Sequence, residues 1–278
     1  MQIYIDTCVL PRCRLEEGRL YRERFGEQLG FELLLMFDIP DFEANLKQNR
    51  AMLEAGPLIF HEPVWGVEHT AARGSMAWKE SQFHLQKTAE WAKRLHPLYM
   101  VYHLNHCAVP AHRKDRMLQR TLENLEETRE LFSGTELLVE NTGIAADGNR
   151  MLDQEEFTAL CRERDFRVLI DVGHANANGW DIPKMIRELK DSVRGYHLHN
   201  NDGRYDLHRR LWDGTLKMDR LIPLLRQETP EAFLVVEYTR EEYHGEPLCR
   251  DLQLLQDKMG KGGTEGCGAS GKSSGIYL

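Results

Sequence analysis

Short apolar runs recur along the chain, and longer amphipathic segments fill the gaps between them. The runs are QIYID (2–6), FELLLMF (31–37), PLIFH (57–61), LYMVYH (98–103), ELLVE (136–140), RVLID (167–171), RGYHL (194–198) and FLVVE (233–237). Each is too short for a typical helix, and several are rich in β-branched and aromatic residues, so they predict buried strands. Between them, WKESQFHLQKTAEWAKRL and RMLQRTLENLEETRELF place Leu, Phe, Trp and Met at helical spacing beside i,i+4 charge pairs. DFEANLKQNRAMLEA predicts a helix that starts on an Asp cap. DQEEFTALCRER, DIPKMIRELK, KMDRLIPLLRQ and EPLCRDLQLLQDK predict four more, and the segment near 15–28 has the weakest helical pattern. Strand and helix alternate throughout, which implies a parallel sheet with crossover helices. The length suits a single (β/α)8 TIM barrel over residues 1–258, with an open doubly wound sheet as the structural alternative. From Met259 the composition changes to MGKGGTEGCGASGKSSGIYL. This 259–278 segment reads as a flexible Gly/Ser-rich tail, or as foreign to the natural protein. Its glycines lack the preceding strand and following helix of a phosphate loop.

Composition narrows the function classes. The 278 residues are 41% hydrophobic and carry a formal net charge of −8. That balance argues against a general binder of nucleic acid or anionic membrane. No apolar run reaches the roughly 18 residues of a membrane span, and the N-terminus lacks the pattern of a secretory signal. Cys8, Cys13, Cys107, Cys161, Cys249 and Cys267 form no CxxC pair. They are expected as free thiols of a cytoplasmic protein.

The strand ends change the picture. They carry His61, His103, Glu140, Asp171, His197 and Glu237, and the following loops add His174, Asp206 and His208. In a parallel barrel these ends share one face, where barrel enzymes keep their active sites. Each residue alone has an ordinary reading as a loop or capping group. That reading weakens when it must be repeated at successive strand ends. Carboxylates with imidazoles suit a divalent cation such as Mn, Mg, Co or Zn, and the lack of thiolates argues against a closed structural zinc site.

LLVENTG, LIDVGHANANG, YHLHNNDGRYDLH and LVVEY occur in this order. The set resembles the xylose-isomerase-like barrel superfamily, which includes sugar isomerases and epimerases, inosose dehydratases and isomerases, and endonuclease IV-class enzymes that act at abasic (AP) sites. The resemblance spans about residues 2 to 257. For the sugar branch it implies one divalent metal held by Glu140, Asp171, His197 and Glu237. It also implies that the two glutamates exchange a proton across the substrate carbon, with His174 binding substrate oxygen or assisting the transfer. For the repair branch it implies three zincs held by His61, His103, Glu140, Asp171, His174, His197, Asp206, His208 and Glu237. Some relatives are homo-oligomers, although no exposed apolar stripe marks an interface here.

The expected function is a metal-dependent sugar or sugar-phosphate isomerase or epimerase. It would abstract a proton through a metal-stabilised enediolate. The alternatives are a zinc-dependent AP endonuclease, an inosose dehydratase or isomerase, and a barrel that binds without turnover. Trp65 and Trp212 are weak candidates for stacking on a sugar, and Arg209 and Arg210 read as solvated charges rather than a phosphate site. HRKDR at 112–116 is the best basic stretch and reads as a helix start. His199 is not assigned. Where many relatives have Gly-x-Gly after the D-x-H motif, this chain has only Gly214, which leaves that loop's course open.

Overall fold

The apolar runs form β1 (Ile3–Asp6), β2 (Gly30–Leu34), β3 (Leu58–His61), β4 (Tyr99–His103), β5 (Glu136–Glu140), β6 (Val168–Asp171), β7 (Val193–Leu198) and β8 (Phe233–Val236). In the computed structural model, which describes residues 1–11 and 14–260, they close into a parallel barrel in chain order. Closure comes from β8 pairing with β1, with Ile3 opposite Leu234 and Ile5 opposite Val236. The open doubly wound alternative is thereby excluded.

The helices are α1 (Arg19–Phe25), α2 (Phe42–Glu54), α3 (Met76–Leu95), α4 (Lys114–Leu131), α5 (Gln154–Glu163), α6 (Val172–Ala177), α7 (Ile182–Leu189), α8 (Met218–Glu228) and α9 (Glu246–Gly260). Local signals start several of them. Ser75 caps α3, and Asp153 forms a capping box with Glu156 at α5. Asp181 caps α7, followed by a proline in its first turn. Four expectations need correction. Asp41 stands at the start of α2 with φ 66° and makes no side-chain cap bond. The predicted first helix splits into a 3-10 turn over Leu15–Gly18 and the short α1. FELLLMF pairs as a strand only to Leu34, while Leu35 and Met36 stay buried beyond it. The short α6 follows β6 directly, where the sequence pattern predicts no helix. The last helix reaches Gly260, and the rest of the expected tail lies outside the described residues.

Two apolar layers hold the barrel. One lies between sheet and helices. The other fills the barrel interior with Tyr4, Ile59, Val101, Leu138, Leu169, Phe233 and Val235. Tyr4 meets Phe233 edge-on at 5.2 Å between ring centroids, and Tyr99 stacks on Phe233 at 5.3 Å. Glycine makes room for these rings. A Cβ on Gly30 would sit 2.1 Å from Tyr4 Cδ1, and one on Gly195 would sit 2.2 Å from Phe233 Cε2. No helix among the described residues is long and apolar enough to cross a membrane.

Candidate metal centre

Strand alternation builds the site on top of the interior layer. Side chains two apart share a face. Interior Ile59, Val101, Leu138, Leu169 and Val235 are therefore followed by His61, His103, Glu140, Asp171 and Glu237. Register sets the neighbours: His103 pairs with Glu140 across β4 and β5, and Asp171 pairs with His197 across β6 and β7. Glu237 stands one residue beyond β8, its N–H bonded to Leu198 O at 3.2 Å.

His197 is central and fully buried. Its Nδ1 lies 3.3 Å from Glu237 Oε2, 3.6 Å from Glu140 Oε2 and 3.8 Å from Asp171 Oδ2. On one side, His103 Nε2 lies 2.8 Å from Glu140 Oε2. His61 Nδ1 lies 2.8 Å from Glu62 O; as the donor in this bond it leaves Nε2 bare. On the other side, Asp171 Oδ1 accepts the His174 N–H at 2.6 Å, capping α6 and bringing the His174 ring inward. That ring places Nδ1 3.1 Å from Glu140 Oε1 and Nε2 3.3 Å from Asp206 Oδ2. His208 Nε2 reaches Asp206 Oδ2 at 3.0 Å from a left-handed backbone, φ 42°.

Burial and charge pull these groups apart electrostatically. Burial works against a charged Glu140, but His103 and His197 outweigh it and hold its carboxyl well below the ordinary range. Burial dominates at Glu237, where it outweighs His197 and His208 and pushes the carboxyl well up. Asp171 is held down at about 2: burial opposes its charge, and His174 and His199 overcome it. Burial also disfavours a charged His208, yet Glu237 and Asp206 raise it to about 9. His61 falls to about 3, chiefly through burial and then His103.

The arrangement suits cations. Buried Glu140 Oε1, His174 Nδ1, His197 Nδ1, His199 Nδ1, Asp206 Oδ1 and Glu237 Oε2 have no aligned hydrogen bond. Atoms of this kind are costly to bury unless something else meets them. They converge in overlapping donor groups: Asp171, His197 and Glu237; His61, His103 and Glu140; Glu140, Asp171 and His174; and His174, His199, Asp206 and His208. Nitrogen and oxygen donors of this mix fit Zn or Mn-type ions.

Several residues escaped the sequence reading. His199 lies two positions after His197, so alternation turns it to the same face. Its Nε2 lies 3.0 Å from Asp171 Oδ2, and its ring stacks on His208 at 4.0 Å. The glycine before His174 permits this, since a Cβ on Gly173 would sit 2.0 Å from His199 Cε1. Glu62 follows His61 and is fully buried. It accepts from the His103 N–H at 2.9 Å and lies 2.6 Å from His69 Nε2 and 3.1 Å from His106 Nε2. Glu32 meets His197 Nε2 from within β2, a lone acid inside an apolar run, and its register partner Asp6 ends β1, a strand-end acid that the sequence reading passed over.

Trp65 is 52% exposed. Trp212 donates from Nε1 to Asp219 Oδ1 at 3.2 Å and packs against the outer core. Arg210 is not a solvated charge: it forks onto Asp251 at 2.7 and 2.9 Å, and Tyr238 donates to the same carboxylate at 2.8 Å. Arg209 exchanges backbone bonds with Asn200. The loop around Gly214 is tied by Asn200, whose Nδ2 reaches Leu211 O at 2.7 Å and Leu216 O at 3.0 Å. In HRKDR, Lys114 begins α4 as expected. Cys107, Cys161 and Cys249 form no disulfide.

Comparison with known proteins places the scaffold. The sequence model of the xylose isomerase-like TIM barrel family matches residues 28–258. A search of curated proteins gave no match. Among solved structures, a D-tagatose 3-epimerase-like protein is 16% identical with a TM-score of 0.72, covering 93% of this chain and 97% of its own. An IolI protein described with a binding zinc atom is 14% identical with a TM-score of 0.70, covering 93% and 96%. Endonuclease IV from Thermus thermophilus is 22% identical with a TM-score of 0.65, covering 93% and 99%. At these identities the likeness is one of fold.

Proposed function

We propose a reaction for this chain, which belongs to the xylose isomerase-like TIM barrel family: divalent-metal-dependent isomerisation or epimerisation of a sugar or related polyhydroxy ketone. The observation that carries it is the convergence of two carboxylates, from the ends of β5 and β8, on one imidazole nitrogen. Glu140 and Glu237 both approach His197 Nδ1, at 3.6 and 3.3 Å, with Asp171 beside them. A substrate carbon held between them would have a carboxylate on each side. One takes the proton from the C–H bond, whose electron pair moves toward the carbonyl oxygen and leaves an enediolate. The other returns a proton to the opposite face or to the adjacent carbon. A divalent cation, when bound by Glu140, Asp171, His197 and Glu237, would supply Lewis acidity at the substrate oxygens. His174 stands between Glu140 and Asp206, where its ring N–H can donate to a substrate hydroxyl. The net charge of −8 disfavours a polyanionic substrate.

A second reading has its own observation. The outer donor groups around His61 and His103, and around His174, Asp206 and His208, share Glu140 or His174 with the inner groups. Several adjoining cations would suit hydrolysis of a phosphate ester, the chemistry named by the endonuclease IV neighbour. Metal content of the chain purified without chelator, by elemental mass spectrometry, separates the two. About one ion per chain, with solvent deuterium entering a ketose, an inosose or one of their phosphates, supports the first reading. About three zincs per chain, with incision of abasic-site DNA and no deuterium uptake, replaces it with the second.

A further inference from the structure

Glu32 breaks the pattern of the barrel interior. Its register partners are Asp6 on β1 and Ile59 on β3, so it stands level with the otherwise apolar layer beneath the site. It is fully buried. An ionised carboxylate in such a place costs several kcal/mol unless it is well paired. Both of its oxygens meet one atom, His197 Nε2, at 2.9 Å for Oε1 and 3.1 Å for Oε2. Asp6 contacts Glu32 from the neighbouring strand β1, itself tied to the backbone N–H of Cys8. A carboxylate can only accept, so this contact needs the proton of His197 on Nε2. In the neutral ring that binds a cation, Nδ1 is then bare, and it is the nitrogen that faces Glu140, Asp171 and Glu237.

We propose that Glu32, backed by Asp6, is a positioning residue that fixes the tautomer and ring plane of His197 so that Nδ1 is its metal-facing atom. The inference rests on the metal-dependent reading of the site. Pairs of this kind raise the basicity of the ligating nitrogen, and losing the outer partner weakens metal binding by about 10–100-fold. Nothing in the donor set itself requires Nδ1 over Nε2; the choice comes from the layer below.

The test uses the full chain stripped with chelator and titrated with Zn2+ against a chromophoric competitor. Glu32→Leu is expected to weaken binding by about 10–100-fold. Glu32→Gln, whose carboxamide oxygen accepts the same N–H, should recover most of that loss. Unchanged affinity in Glu32→Leu overturns the proposal, and so does a Glu32→Gln variant as weak as Glu32→Leu, which would leave a bare charge effect. Should Glu32→Leu fail to fold, a crystal structure of the zinc-loaded unaltered chain decides. Metal on Nδ1 with Glu32 on Nε2 supports the assignment, and metal on Nε2 overturns it. If the unaltered chain binds no divalent cation, the functional reading falls and this inference falls with it. If the unaltered chain binds and the variants bind equally well, only the inference falls.

Discussion

Replacing Glu140 by Gln removes one negative charge from the point where the donor groups overlap, and changes shape very little. In the structure this carboxylate faces His103 Nε2 at 2.8 Å, His174 Nδ1 at 3.1 Å and His197 Nδ1 at 3.6 Å. If Glu140 carries the proton, the variant loses the base outright. A positioned general base contributes about 10²–10⁴-fold, or about 3–5 kcal/mol of barrier. The assay is solvent deuterium entering whichever ketose, inosose or phosphate the unaltered chain exchanges, read by proton NMR. Glu140→Gln should exchange at least about 100-fold more slowly. Far-ultraviolet circular dichroism should not change, because the barrel interior below Glu140 is an independent apolar cluster. Metal content measured on the same sample separates loss of the base from loss of the cation. Exchange at the unaltered rate, in a metal-loaded variant, would refute the assignment of Glu140 as the proton carrier.

Three further outcomes are expected. Glu237→Gln should also abolish exchange while the barrel stays folded; full activity would remove Glu237 from the mechanism. The chelated chain should lose stability as pH rises from about 6.5. The raised values of His174, His197 and His208 give stability that is fully present below the ordinary histidine value and lost through the folded value, about 9 for His208. That histidine alone contributes about 3 kcal/mol across the window. Thermal melts should show the slope without metal and a flatter profile with it, since a cation displaces those protons; identical profiles would count against a cation there. Gly173→Ala puts a Cβ 2.0 Å from His199 Cε1, so the ring must move away from Asp171. Overpacking of this kind costs about 1–3 kcal/mol, and a urea melt matching the unaltered chain would show that the ring is not confined.

By itself the sequence determined the barrel and most of its mouth. Eight buried runs alternating with amphipathic helices leave few topologies. Ligand-type residues at the ends of those runs must then meet on one face, because parallel strands all end there. That is a local property, readable from Ile59–His61 or Leu138–Glu140 without knowing any distance. Tertiary structure decided what no local pattern encodes. Glu32 in FELLLMF looks like any polar residue in a strand, and only register with β1 and β3 puts it beneath His197. Glu62 reads as a loop acid until the folded loops bring His69 and His106 to its two oxygens. Arg210 reads as a surface charge until α9 offers Asp251. His199 was legible through alternation, but the space for its ring depends on a glycine from the neighbouring element. In each case the partner comes from another part of the chain. Hydrogen bonds and close packing across such separations depend on the closed barrel, not on the periodicity that predicts its strands.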